Sequence, residues 1–388
     1  MKQKVFWHNP KNKNFLALKG KENCKFLIIG GGVTGVSLAY FLNIQGEKNI
    51  ILIEKSKIAG GATGCSAGML MAGMENVGIS PFLKKFGKKK TNLYFQKQSE
   101  AYEEIKKIIR TEKIACEARE GPYFVLGSKQ WGVKQILQEY RARKKLDQNV
   151  DLLNKNDIER ELGTKTFSLG EKVHNFAVSF NPLKYTQELA RISSNRGVKI
   201  YEHTPLLRQN RNIVITPQGI IQFETIVYAT DSFFSGNDLN RIKTTIGVTN
   251  PISVNQIRAL KLTTPMLFED SEKRDYHYVK MTTDNRILVG YGGMKMANSE
   301  LTPILHKPHL RNIKRFIIHV FPQLKLKIEY AWSGIFASPA KSFMPLIKFK
   351  GNKILLLGSG TQVFSTMMAK YVAGRLSKKK QSLDIFFR

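Results

Sequence analysis

A chain of 388 residues with 42% hydrophobic content can bury a sizeable core, and at ~100–200 residues per domain it reads as two domains. Its 62 basic residues against 30 acidic ones give a formal net charge of +32. That charge favours anionic partners such as RNA, acidic lipid or a carboxylate substrate, or it reflects a lysine-rich composition, with Lys84, Lys85, Lys88, Lys89, Lys90 and Lys378 to Lys380 as solvated faces or loops. Three cysteines, Cys24, Cys65 and Cys116, are widely spaced and form no C-x-x-C pair, which argues against a disulfide framework or a zinc site and for a reducing cytoplasm.

The N-terminal "MKQKVFWHNPKNKNF" carries no apolar core of signal-peptide type. Phe26 to Ile44 is a stretch of 19 residues without a charge, long enough to suggest a membrane span. Gly30-Gly31-Gly32 sits inside it, however, and each glycine in a helix interior would cost ~1 kcal/mol against alanine. A strand, a turn and a helix account for the same residues better. Lys25 to Ile29 suits a buried parallel strand, and Val33 to Ile44 carries helical spacing. Gly30, Gly32 and Gly35 fit G-x-G-x-x-G, in which the first glycine permits the turn, the second lets backbone approach a pyrophosphate, and the third lets helix pack on strand. Val33 and Thr34 then open a helix whose N-terminal N–H groups face the phosphates. "NIILIEKS" follows as a second strand ending in Glu54 and Lys55, where an acid can accept bonds from the ribose hydroxyls of a dinucleotide.

The next stretch, "IAGGATGCSAGML" from Ile58 to Leu70, packs small residues that let the chain pass against a flat ring system. Here the chain resembles the D-amino-acid oxidase superfamily of flavoenzymes, whose glycine-oxidase and sarcosine-oxidase members carry a similar run along the ribityl chain and flavin. The resemblance implies FAD as the cofactor, held without a covalent bond, with Ala62, Thr63, Ser66, Ala67, Gly68 and Met69 beside it. It continues through "VFWHNP", through "VSFNPLKYTQELARISSNRGVKIYEHTPL", and through "IVYATDSF" with Ala229 and Thr230 near the cofactor. "QIRALKLTTPM" and "YHYVKMTTDNRILVGYGG" look like substrate-domain strands, the second turning at Asp284-Asn285. "YAWSGIFASPAKSFMPLI", with Gly334, and "NKILLLGSGTQVFSTMMAKYVAGRL", with Gly358, Gly360, Thr361 and Gln362, resemble the closing pair at the pyrimidine end of the flavin.

The implied fold is α/β, with a discontinuous, Rossmann-like FAD-binding domain from residues 1–80, 176–245 and 332–388. A mixed-sheet α+β substrate domain would come from 81–175 and 246–331. The implied chemistry is oxidation of a primary or secondary amine, amino-acid-like in the relatives, by hydride transfer to flavin N5. Backbone N–H groups around Gly360, Thr361 and Gln362 are expected to stabilise negative charge at the pyrimidine end.

Three departures from the family pattern put the substrate in question. Phe336 stands where relatives carry a carboxylate-binding arginine, Lys341-Ser342-Phe343 replaces an Asp-Gly, and the last turn reads Gly360-Thr361-Gln362-Val363. Arg258, expected in a strand, Lys280 and Lys341 are the candidate replacements for the arginine, and His277 is a candidate base. Strand alternation places Tyr276, Tyr278 and Lys280 on one face, with His277 and Val279 on the other. Two further readings stay open: oxidation of a modified wobble-uridine side chain of tRNA, with the basic surface holding phosphates, and a flavoprotein without turnover that serves as a binding partner.

Overall fold

The computed structural model describes residues 1–7, 15–71, 78–234, 236–260, 262, 265, 267–270, 276–297, 301–342, 344–379 and 381–387. Of the residues singled out above, His8, Asn9, Pro10, Lys261, Thr263, Thr264, Met266, Phe343 and Lys380 lie outside the described residues.

Buried apolar runs form the first sheet. The strand Gly20–Ile29 pairs in parallel with Ile50–Ile53 on one side and Gly219–Tyr228 on the other, and Lys199–Tyr201 and Lys353–Leu357 extend the parallel set. Leu346–Lys350 closes one edge in antiparallel fashion, and a small meander, Arg208–Asn210 with Ile213–Ile215, hangs from the start of Gly219–Tyr228. All four residues of Ile50–Ile53 are buried, as expected of a strand covered on both faces. The helices Val33–Ile44, Pro182–Asn195 and Gln362–Leu376 share one large apolar core on one face of this sheet, and Leu18, Leu27, Ile29, Ile51, Ile53 and Phe223 fill the other. Among the described residues no helix is long and apolar enough to cross a membrane, and the uncharged stretch from Phe26 is strand, turn and buried helix.

The second sheet is mixed. Its strands run in the order Ile328–Pro339, Leu239–Thr249, Ile287–Met296, His277–Met281, Leu267–Asp270, Arg119–Gly127, Leu169–Ser179 and Met69–Met71, with Val150–Asn154 branching from Leu169–Ser179. Residues 239–245 and 332–339, assigned from the sequence to the FAD-binding unit, are therefore strand residues of this sheet. The helix Lys307–Val320 packs one face of the sheet through Ile313, Phe316 and Ile317, against Phe268, Val279 and Val289. The opposite face meets the segment Cys65 to Gly68 from both edges of the sheet. At one edge Gly334 approaches Cys65, and at the other Met69–Met71 continues directly from Gly68, so the sheet curls around that segment.

One expectation fails at the level of secondary structure. Arg258 lies in a helix, Val254–Ala259, because Ser253 and Gln256 form a capping box that satisfies the first free N–H groups.

Candidate functional site

The first turn of the parallel sheet is built for close approach. Gly30 has φ +114°, and a Cβ there would stand 2.5 Å from the Ala229 carbonyl oxygen. A Cβ at Gly35 would run into the Gly30 carbonyl, which fixes the helix tightly on the strand. At Gly32 the same construction meets only Thr63 Oγ1, at 3.4 Å, so this glycine leaves open space rather than relieving a clash. Gly32 is the N-cap of helix Val33–Ile44 and has no side chain of its own to cap it. Val33 N–H donates to Thr63 Oγ1 at 3.0 Å, while Gly32 N–H meets no acceptor among the described residues. Glu54, at the end of the second strand, accepts from Gly31 N–H at 2.8 Å and from Ser56 N–H at 2.9 Å. A helix end with a glycine at its cap, open space above that glycine and an acid at the neighbouring strand end fit the pyrophosphate and ribose of a dinucleotide. Lys55 is exposed, and its ammonium lies 3.1 Å from the centroid of the Phe233 ring.

The last helix brings a second N-terminus to the first. Thr34 Oγ1 donates to Ser365 Oγ at 3.0 Å, and Ser359 and Ser365 share a hydroxyl contact of 2.7 Å. Thr361 caps the helix by accepting from Phe364 N–H at 3.3 Å, and its own N–H is taken by the Ser359 carbonyl at 2.8 Å. Gly360 N–H, Gln362 N–H and Val363 N–H are left without a protein acceptor among the described residues, so of the three groups expected from the sequence only Thr361 N–H is taken. Asp231 braces the loop from the other side. It sits at φ +47°, where Asn and Asp are tolerated, and its carboxylate accepts from Ala337 N–H at 2.9 Å and Gly358 N–H at 3.2 Å. Burial pushes its carboxyl up, and the backbone donors oppose that rise.

Between the two sheets runs the small-residue segment, pinned by side chains that sequence reasoning largely missed. Trp7 Nε1 donates to the Ser66 carbonyl at 3.0 Å, Trp332 Nε1 to the Cys65 carbonyl at 2.9 Å, and Gln362 Nε2 to Ser66 Oγ at 3.0 Å. A Cβ on Gly334 would stand 2.9 Å from Cys65 Cβ, so glycine is needed for that approach. Lys280, 1% exposed, donates to the carbonyls of Gly68 at 2.9 Å and Phe180 at 3.0 Å and lies 4.7 Å from the centroid of the Trp7 ring. Burial pushes its ammonium down to about 7. Cys65 is likewise pushed up to about 11 by burial, which keeps its sulfur a thiol. Ala62 and Thr63 lie in the short helix Ala62–Cys65, and Ala67 and Met69 pack beside Tyr278.

The remaining candidates separate. Tyr278 shares the face of Lys280, directed at the small-residue segment; its ring fills the space over Gly290, and burial pushes its hydroxyl up to about 12. His277 faces the other way. Its Nδ1 lies 2.7 Å from Asp270 Oδ2 and its ring stacks on Phe316 at 3.9 Å, under helix Lys307–Val320, which removes it as a base at the flavin-facing side. Arg258 is exposed on a helix whose neighbours Ile252, Ile257 and Leu260 belong to that same outer core. Lys341 is exposed in the turn after Ile328–Pro339. None of these three reaches the concave face. Lys84, Lys85, Lys88, Lys89 and Lys90 are exposed on helix Ile79–Thr111.

Comparison with known proteins gives the same picture. The chain is 24% identical to gamma-glutamylputrescine oxidoreductase of Escherichia coli over 96% of this chain and 88% of that protein. It is 24% identical to glycine oxidase of Bacillus subtilis over 81% of each chain. Its fold superposes on the crystal structure of glycine oxidase from Geobacillus kaustophilus with a TM-score of 0.78 at 16% identity, covering 94% of this chain and 98% of that one. The family model described as FAD dependent oxidoreductase matches residues 25–375, so the chain belongs to the DAO family of FAD-dependent oxidoreductases.

Proposed function

We propose that this protein oxidises a small-molecule amine at the concave face of its second sheet, with FAD lying along the segment Ala62 to Met69. The observation that carries this reading is the pinning of that segment, by Trp7, Trp332, Lys280 and Gln362, between a dinucleotide cradle on one side and the Tyr278-bearing face on the other. When bound, FAD supplies a two-electron acceptor for hydride from the carbon bearing the amine, and water then hydrolyses the resulting imine.

The chain's own residues bind, orient and screen. Gly32 N–H and the helix end behind it hold the pyrophosphate, and Glu54 accepts from the ribose. Gln362 N–H and Val363 N–H, at a helix N-terminus, stabilise negative charge at the pyrimidine end. Trp332 and Tyr278 exclude water from the concave face, and Tyr278, kept protonated, can donate but not abstract. The Cys65 thiol, held protonated, does not favour a covalent attachment, so the cofactor is dissociable. We also assign residues 1–80, 176–245 and 332–388 to the FAD-binding unit, with 239–245 and 332–339 lending their strands to the substrate-facing sheet, and 81–175 with 246–331 to the substrate unit, and three cysteines that form no disulfide suit a cytoplasmic location. The test is an anaerobic screen of purified holoenzyme, in which a primary or secondary amine bleaches the flavin. A fully loaded protein whose flavin no amine reduces overturns the reading.

A further inference from the structure

The concave face carries one acid that this reading leaves without a task. Glu269, in strand Leu267–Asp270, is in register with Tyr278 of one neighbouring strand and Val125 of the other. Alternation therefore turns its side chain to the face of Tyr278 and Lys280, while the next residue, Asp270, turns outward to His277. The sheet curls so that this face looks onto the segment Cys65 to Gly68, which both sheet edges touch. Tyr123, Met69 and Leu267 share one apolar cluster there with Tyr278, and the rings of Tyr276 and Tyr278 are 6.2 Å apart beside Glu269.

Among the described residues the buried cations of this face have partners of their own. Arg143 is buried but its Nε is paired with Glu171 at 2.9 Å. Lys280 is turned to two carbonyls, and its ammonium feels Glu117 rather than Glu269. Among the described residues no salt bridge reaches Glu269, which keeps part of its surface exposed. Burial pushes its carboxyl up to about 7, with Asp270 and Glu171 adding to the rise and the Tyr123 hydroxyl and the more distant Arg143 guanidinium opposing it. A partly accessible carboxylate with no salt bridge among the described residues, whose nearest buried guanidinium is bound to Glu171, lies beside two tyrosine rings and is a site for a cation from outside. Among the described residues no buried cation of this face is free to hold a carboxylate, and Phe336, on the same face as Gly334, adds none.

We propose that Glu269 receives the distal ammonium group of the substrate, so that the amines this protein oxidises are aliphatic diamines or polyamines rather than zwitterionic α-amino acids. The proposal rests on the amine-oxidising reading above and deepens it. The ammonium sits against the Glu269 carboxylate, the Tyr276 and Tyr278 rings flank the alkyl chain, and the second, uncharged amine is the one presented for oxidation.

Anaerobic bleaching and steady-state kinetics of the holoenzyme test it with diaminobutane, butylamine, glycine and N-methylglycine as probes. Wild type should prefer diaminobutane to butylamine in kcat/KM by about 30-fold or more, the scale of a partly desolvated charge pair. In Glu269→Gln that preference should collapse toward one, chiefly through KM, and Glu269→Asp should keep part of it. Wild-type protein that uses butylamine or glycine as well as diaminobutane overturns the assignment while leaving amine oxidation standing. A Glu269→Gln protein that retains the preference does the same. Should Glu269→Gln fail to fold, the wild-type preference and the Glu269→Asp variant decide the matter. A flavin that none of the four probes reduces removes the assignment together with the amine reading.

Discussion

The Lys280 ammonium donates to the Gly68 carbonyl at 2.9 Å across 212 residues of chain, and so ties the substrate-facing sheet to the segment expected to lie against the flavin. Gly68 O also accepts from Phe180 N–H at 2.9 Å, and Lys280 reaches the Phe180 carbonyl in turn. One buried side chain thus joins the strand His277–Met281, the chain at the ends of Met69–Met71 and Leu169–Ser179, and the N-terminal Trp7.

A pH signature follows from its burial. The native ammonium titrates at about 7, against 10.5 for a free lysine, so between those values the unfolded chain binds more protons than the native one. Stability contributed through Lys280 therefore rises with pH through that window. Above pH 9 the three buried thiols work the other way, since they are pushed up from 9.0 and their native forms retain protons that the unfolded chain loses. The clean interval is pH 7 to 9, where two pH units correspond to about 2–3 kcal/mol. Urea unfolding of wild type and Lys280→Met across that interval should show the rise in the first and not in the second. Parallel curves would mean that the lysine stays charged in the native protein.

The cradle glycines should divide into two classes. Gly30→Ala puts a Cβ against the Ala229 carbonyl at φ +114° and should destabilise the fold by about 2–4 kcal/mol. Gly32→Val meets only Thr63 Oγ1 and should fold, yet emerge colourless because the side chain occupies the place of the pyrophosphate. Thermal melts and flavin absorbance of the two variants separate these effects. A yellow Gly32→Val protein would place the phosphates elsewhere.

Glu54 holds the turn as well as the ribose. Its two oxygens accept from Gly31 and Ser56 N–H groups, so Glu54→Ala frees two donors in addition to losing a ribose partner. FAD affinity should fall by about 1–3 kcal/mol, roughly five- to 150-fold. Titration of apoprotein measures it, and an unchanged dissociation constant would reduce Glu54 to a structural brace of the turn.

The parts of the site legible in the sequence are those that local order dictates. Gly30, Gly32 and Gly35 stand between a buried apolar run and a helical one, and Glu54 ends the next strand, so their geometry is fixed within a few dozen residues. Arg258 is misread because "QIRALK" alternates like a strand, although the capping box Ser253-Gln256 just before it marks a helix start. His277 and Tyr278 are placed on opposite faces by alternation, but which face meets the flavin depends on the packing of Lys307–Val320, some thirty residues on. Glu269 escapes notice for a stronger reason. Its strand is four residues long, and the concavity that gives the acid a function comes from the pairing of nine strands drawn from the whole chain.

The last prediction tests what decides between a cationic and a zwitterionic substrate. Phe336 follows Trp332 and Gly334 on one face of strand Ile328–Pro339, the face that approaches Cys65, and it is half-buried. An arginine there would bring a planar cation to a face whose buried cations, Arg143 and Lys280, are already committed. Its charge would oppose a second ammonium and offer a forked partner to a carboxylate, so Phe336→Arg should raise kcat/KM for N-methylglycine by about tenfold or more and lower it for diaminobutane. Combining it with Glu269→Gln should strengthen the switch, because the attraction for a cation is removed as the attraction for an anion is added. Flavin content and melting temperature serve as controls for the cost of placing a guanidinium in a half-buried position. If Phe336→Arg holds its flavin and still shows wild-type selectivity, residue 336 does not line the path of the substrate, and the determinant lies nearer Tyr278.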